Sequence, residues 1–280
     1  MLGTKGGPAI RPGGPMPTSS LLTLGGRRIV VDCGLGVARG LCDAGMPLAE
    51  LDLVFVTHLH SDHVLELGPL LHTAWTAGLA RPVRVFGPKG LHDLWSGFLA
   101  SMRYDIDLRI ADEGRPDLRE LVSIHAHDEG LVLDDGGLSV RAMRVPHPPV
   151  DPCFALRFEH EGRTVVFSAD TAPHPPLAEF AREADVLVHE AMLLEGVDRL
   201  VARTANGRRL REHLLASHTP AEEAGRIATA AGVRHLVLHH LIPADDPRFG
   251  RADWEAAIRR TWSGPLTIPS DGERIELSAI

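Results

Sequence analysis

The segment Thr57-His58-Leu59-His60-Ser61-Asp62-His63 places four potential metal ligands within six residues, directly after the apolar run Leu51 to Val56. That run carries Val54, Phe55 and Val56 with no helical spacing of polar residues, so it predicts a buried strand. His58 and His60, two apart, reach one point only where the backbone is extended or turning. Asp62 and His63 point differently and serve a second point nearby. Hard and borderline ligands of this kind suit zinc and its first-row relatives. Sixteen histidines in 280 residues bring some together by chance, and a lone His at a strand end is ordinarily a surface hydrogen-bonding group. A His-x-His-x-Asp-His pattern directly after a hydrophobic strand is far more specific.

Later segments repeat this arrangement of a reactive side chain just past a strand. Leu138 to Val145 predicts a strand ending at Pro146-His147-Pro148-Pro149, where the prolines fix the loop. Phe154 to Glu159 and Thr164 to Ser168, turned by Glu161-Gly162, predict a hairpin that delivers Asp170. Val186 to Glu190 carries His189-Glu190-Ala191 at its tip, and His235 to Leu238 carries His239-His240-Leu241. Loops at strand ends are where α/β sheets build their sites. Thr219 to Ala231 predicts an amphipathic helix, capped by Ser217 to Thr219 with Glu222 and Glu223 in its first turn; His218 lies in that cap. His125 and His127 form a second His-x-His pair, but no Asp-His follows and an exposed strand edge explains the alternation.

The elements around these residues read as follows. The opening, with Gly3, Gly6-Gly7-Pro8 and Pro12-Gly13-Gly14-Pro15, is no helix interior; it is a loop over a site or a tail. Leu21 to Leu24 and Arg28 to Asp32 predict strands joined by Gly25-Gly26, and Cys33 reads as a small buried residue. Helices are predicted over Val37 to Ala44, over Leu65 to Ala77 and from Pro88 to Leu99, with a strand at Pro82 to Phe86. His72 and Trp75 on the second helix are candidates to face the site, packing being the plainer role for Trp75. The polar stretch 103–119, with Arg103, Arg109, Arg115 and Arg119, reads as a substrate-facing loop or a solvated connector.

Composition bounds the rest. A hydrophobic fraction of 44% suits a globular protein with a large core, and we expect one hydrolase domain over 1–280. No internal repeat of 20–50 residues is present; strand-rich segments followed by helices in both halves suit two layers packed face to face. The net charge of −8 argues against a nucleic-acid partner, which leaves a basic footprint. Three cysteines without a Cys-x-x-Cys exclude a disulfide framework and a thiolate zinc knuckle. No apolar run approaches the roughly 20 residues of a membrane span, and the first residues lack a signal-peptide core, so a cytoplasmic location and no membrane partner are expected.

The series HLHSDH, VPHPP, SADT, HEA, SHT and LVLHHL resembles the ribonuclease Z and arylsulfatase-like branch of the metallo-β-lactamase superfamily, in the family order and over nearly the whole chain. The resemblance implies an α/β fold, a four-layer αββα sandwich with a dinuclear site along one edge of its sheets. It implies two zinc ions, or manganese or iron in their place. His58, His60 and His147 would hold one, Asp62, His63 and His240 the other, and Asp170 would bridge. His240 rather than His239 follows from the family's Leu-x-His ending. Asp32, in Asp-x-Gly, would support the metal loop.

The chemistry implied is hydrolysis by a metal-bridging hydroxide, because two ions lower the pKa of a shared water from 15.7 toward about 7. Asp62 would accept the water's proton, His218 would donate to the leaving oxygen, and Glu190 would orient His218. Ribonuclease Z enzymes carry a long tRNA-clamping arm between the third ligand and the bridging Asp, and a Pro-x-Lys-x-Arg-type loop. Here a single hairpin separates His147 from Asp170, and the loop is not recognisable. With the charge of −8, this points to a small phosphodiester, sulfate ester or related ester as substrate, with nucleic acid unfavoured. The alternatives are a ribonuclease Z-type tRNA 3′-processing endoribonuclease and a lactonase or β-lactam hydrolase with an apolar pocket near Trp75 and Tyr104. A homodimer is left open.

Overall fold

The computed structural model describes residues 1–202, 204 and 207–277. Its strands are β1 (Ser19–Leu24), β2 (Arg27–Cys33), β3 (Leu53–Phe55), β4 (Val83–Gly87), β5 (Val122–Ala126), β6 (Gly130–Asp135), β7 (Leu138–Arg144), β8 (Phe154–His160), β9 (Arg163–Phe167), β10 (Val186–Met192), β11 (Leu236–Ile242) and β12 (Leu266–Thr267). Its helices are α1 (Val37–Asp43), α2 (Ser61–Val64), α3 (Leu67–Thr76), α4 (Leu91–Glu113), α5 (Leu118–Leu121), α6 (Leu177–Phe180), α7 (Leu194–Ala202), α8 (Gly207–Ser217), α9 (Ala221–Ala231) and α10 (Arg251–Ile258). None is long and apolar enough to cross a membrane.

The strands form two sheets, β1-β2-β3-β4-β5 and β12-β11-β10-β9-β8-β7-β6. In the first, β2 to β5 run parallel; in the second, β9 to β12 do, and β6 to β9 alternate direction. Side chains alternate across each strand, so both faces can be apolar. Ile29, Val31, Leu53 and Phe55 of the first sheet meet Leu156, Phe158, Val165 and Val188 of the second in one cluster. Val30, Val54 and Val85 face the other way and pack under Leu67, Leu71 and Trp95 of α3 and α4. On the far side Val166, Leu187 and Leu238 lie under Leu177, Ala224 and Trp254 of α6, α9 and α10. Helix, sheet, sheet and helix stack as four layers.

Three readings change. The stretch 103–119 is no substrate-facing loop: α4 runs on to Glu113 and stops at Gly114, whose φ of 66° makes a left-handed cap. Its polarity is that of a helix with one solvated face, in which Arg109 bridges Asp105 and Glu113, each four residues away. Tyr104 stands 82% exposed on that face while Trp75 is buried with its indole N–H on the Pro116 carbonyl, so the two line no common pocket. The cap of α9 also differs. Pro220 takes that position without a side-chain bond, and Thr219 Oγ1 instead donates to the Thr171 carbonyl.

Candidate metal centre

The cluster begins where β2 and β3 end side by side. Asp32, at φ 62°, accepts the Thr57 N–H on Oδ1 at 2.8 Å and the His63 Nδ1–H on Oδ2 at 2.8 Å. Thr57 Oγ1 donates to the same carboxylate at 3.0 Å, so its contact with His58 Nδ1 at 3.1 Å makes that nitrogen the donor. His147 Nδ1 donates to the Ser217 carbonyl at 2.9 Å. In the His58 and His147 rings the proton sits on Nδ1 and the lone pair on Nε2, and His63, held on Asp32 through Nδ1, turns its Nε2 the same way.

These lone pairs converge. His58 Nε2 and His147 Nε2 lie 3.1 and 3.0 Å from His60 Nδ1, and 3.7 and 3.8 Å from Asp170 Oδ2. The same Asp170 oxygen lies 3.3 Å from His63 Nε2 and 3.0 Å from His240 Nε2, while Asp62 Oδ2 lies 3.2 Å from His240 Nε2. His58, His60, His147 and Asp170 thus form one potential ligand group and Asp62, His63 and His240 another, the atoms within each lying within 4.8 Å of one another.

Local backbone explains the aim of the last two. Asp170 follows Ala169, held at φ 56°. The β10–β11 register jumps from Glu190↔His239 to Ala191↔Leu241, leaving His240 unpaired at φ 45°. Such a bulge re-aims a side chain. His240 therefore turns to the cluster, and His239 lies 6.3 Å from the Phe167 ring.

The charges respond to this crowding. Burial, with neighbouring imidazoles, lowers His60 and His147 to about 4 and His58 well below its usual value. Burial opposes ionisation of Asp62, yet the His240 hydrogen bond and the nearby His63 hold its carboxyl below the usual range. Asp170 also stays ionised against burial, through His240 and His63, and His63 is raised against burial by Asp170 and Asp32. Glu190 goes the other way: burial and the Asp170 charge push it well up. Its two oxygens each lie 3.1 Å from His218 Nδ1, and Oε1 also accepts the Thr171 N–H at 2.7 Å. The His218 ring stacks on His240 at 5.2 Å between centroids.

A cation fits this arrangement. His63 Nε2 and Asp170 Oδ1 are buried without a hydrogen-bond partner, a condition that costs about 1–3 kcal/mol per group unless something else satisfies it. Lone pairs of neutral imidazoles and ionised carboxylates turned to common points are the donors that zinc-like ions take.

Of the two readings of the opening segment, the structure takes the loop over a site, and it adds neighbours that the sequence reading did not name. The opening segment lies over the cluster: Gly7 N–H donates to Asp62 Oδ2 at 2.8 Å and Gly6 N–H to the Leu241 carbonyl at 3.1 Å. The chain has two lysines, and Lys5 borders the site. Lys5 sits in this loop, and Lys89 precedes Gly90, which packs against Leu59. That scarcity was the available signal. His213 on α8 also approaches, while His72 is engaged by Asp105 at 2.9 Å and His125 stacks on Phe86, so neither joins the cluster.

Comparison with known proteins adds the family. The family model of the anti-Pycsar protein Apyc1 matches residues 1–203. A ribonuclease Z of Mycolicibacterium paratuberculosis (strain ATCC BAA-968 / K-10) is 34% identical over 283 residues, covering 100% of this chain and 98% of its own. In structure, the metallo-β-lactamase fold protein YhfI of Bacillus subtilis superposes with a TM-score of 0.70 at 23% identity, covering 97% of this chain and 95% of its own. Human tRNase Z, short form, gives 0.71 at 20% identity, covering 99% and 98%. The chain belongs to the family that the Apyc1 model describes and to the ribonuclease Z branch of the metallo-β-lactamase superfamily, and it is a metal-dependent hydrolase.

These relatives overturn two expectations, the small ester as substrate and the disfavouring of nucleic acid. The missing arm does not separate this chain from its relative, since an end-to-end alignment of 283 positions leaves no space for a long insertion there either. Net charge was the weaker argument, because a sum over the chain is blind to where the cations stand.

Proposed function

We propose that the chain is a ribonuclease Z-type endoribonuclease that hydrolyses a phosphodiester bond at the 3′ side of tRNA precursors. The supporting observation is the convergence of His58, His60, Asp62 and His63 with His147, Asp170 and His240 beside the Glu190–His218 pair, in a chain aligned end to end with a ribonuclease Z. His58, His60 and His147 would hold one zinc ion and Asp62, His63 and His240 a second, with Asp170 between; manganese or iron suits the same donors. Bound there, such ions supply hydroxide from water at neutral pH and stabilise charge on the phosphoryl oxygens.

The protein's own groups do the rest. Asp32 and the Ser217 carbonyl fix the rings of His63 and His147. Asp62, ionised at the cluster, accepts the proton of the attacking water. His218, with Nδ1 turned to Glu190, holds a proton at Nε2 for the leaving oxygen, and Glu190 positions that ring. Residues 1–280 act as one hydrolase domain, since both sheets contribute to the shared core.

Metal analysis combined with cleavage of a tRNA precursor and of bis-p-nitrophenyl phosphate tests this. Two metals per chain and a higher kcat/KM for the precursor are expected, and Asp170→Ala should lose metal and far more than the 10–100-fold that removing a supporting residue costs. Turnover of the small ester above that of the precursor would sink the reading.

A further inference from the structure

Helices α7 and α8 form a hairpin between Glu190 and His218, packed through a small cluster of its own made by Met192, Val197, Leu214 and Ile242. Its second helix leads into the site. His213 places its ring 6.3 Å from His60, 6.4 Å from His147 and 6.0 Å from His218. Ser217 Oγ donates to the His213 carbonyl and therefore accepts from His213 Nδ1 at 3.2 Å, which fixes the ring.

Residues four apart share a helix face, so Arg209 stands one turn before His213, about 6 Å further out along the axis, with Arg208 beside it. Both arginines are exposed, and among the described residues neither has a hydrogen bond or ion pair. Most other described arginines are engaged by an acceptor; exposed Arg103, Arg141 and Arg248 are not, but each stands singly along the chain. Arg39, Arg109, Arg119 and Arg144 are each engaged by carboxylates, and on α8 itself Arg211 is paired with Asp198. Two adjacent unpaired guanidiniums, on the helix that feeds the site of a chain with net charge −8, match a polyanion laid across it.

We infer that Arg208, Arg209 and His213 form an RNA-strand contact. The arginines take backbone phosphates beyond the scissile one, and His213 seats the nucleotide at the mouth of the site. This rests on the ribonuclease reading above, and it assigns to α8 the grip for which the short connection from His147 to Asp170 has no arm.

Fluorescence anisotropy with a labelled tRNA precursor, on metal-loaded protein between about 50 and 200 mM salt, tests it. The double variant R208A/R209A should keep its metal and thermal midpoint while Kd rises at least about tenfold. Its log Kd against log salt slope should fall by about 1.4, the value for two single-strand phosphates. R226A, an exposed arginine paired with Glu222 and Glu223 on α9, should bind as wild type. Unchanged Kd and slope in the double variant overturn the inference, as does an equal loss in R226A. Wild-type protein that binds no RNA, or binds polyglutamate more tightly through the same arginines, overturns it too. RNA binding that depends on α8 without any cleavage overturns the proposed function and leaves this contact standing.

Discussion

Hydrogen-bond partners decide which nitrogen each histidine offers. A carbonyl or carboxylate on Nδ1 turns Nε2 to the opposite side, which is how His63 and His147 come to face Asp170. Glu190 plays the corresponding part for His218 with both oxygens at 3.1 Å. Replacing it with Gln retains size but puts an amide where both carboxyl oxygens faced the His218 ring. Glu190→Gln is expected to lower kcat on a tRNA precursor by about 10–100-fold while KM and metal content hold, measured by steady-state kinetics and elemental analysis. Equal loss of metal would make Glu190 a part of the ligand scaffold instead.

At the scale of elements, strands bring the reactive groups to one edge and strained backbone turns them inward. Asp32, Ala169 and His240 all have positive φ without being glycine, a conformation that costs on the order of 1–3 kcal/mol and persists where surroundings enforce it. The opening segment is one of those surroundings. A Cβ on Gly6 would fall 2.6 Å from Ile242 Cγ1 and 2.8 Å from the His240 ring. Gly6→Ala should therefore displace His240 and weaken metal binding about tenfold or more, read by competition with a chelating dye, with the far-ultraviolet spectrum unchanged. Wild-type affinity would show that the loop yields rather than the ring.

Across the whole molecule, the two sheets are held together by aromatic contact. Phe55 of β3 stacks on Phe86 at 4.8 Å and meets Phe158 of the opposite sheet edge-on at 5.2 Å. Its burial is complete, so Phe55→Ala should cost about 3–5 kcal/mol in urea unfolding. Because β3 hands directly to Thr57 and His58, the same variant should bind metal less tightly. A loss below 1 kcal/mol would mean that the sheets repack around the gap.

Much of this was legible from side-chain type and spacing. A continuous apolar run predicted β3, glycine turns between short apolar segments predicted β2, β8 and β9, and HLHSDH announced its chemistry, because strand patterning and clustered ligands are local properties of the chain. Other features depend on contacts remote in sequence. The resemblance selected His240 over His239, but the physical reason lies in a register jump between β10 and β11, and the ring orientations needed carbonyls and carboxylates from elsewhere in the fold. The stretch 103–119 was misread because the ion pairs that stabilise a solvated helix leave no apolar stripe. Net charge, with the absent arm and loop, spoke against nucleic acid, and the charge misled because summing charges discards position. The chain by itself determined which groups could do chemistry; only the fold decided which of their atoms meet, because that depends on strands brought together across the two sheets and on backbone turned inward where they end.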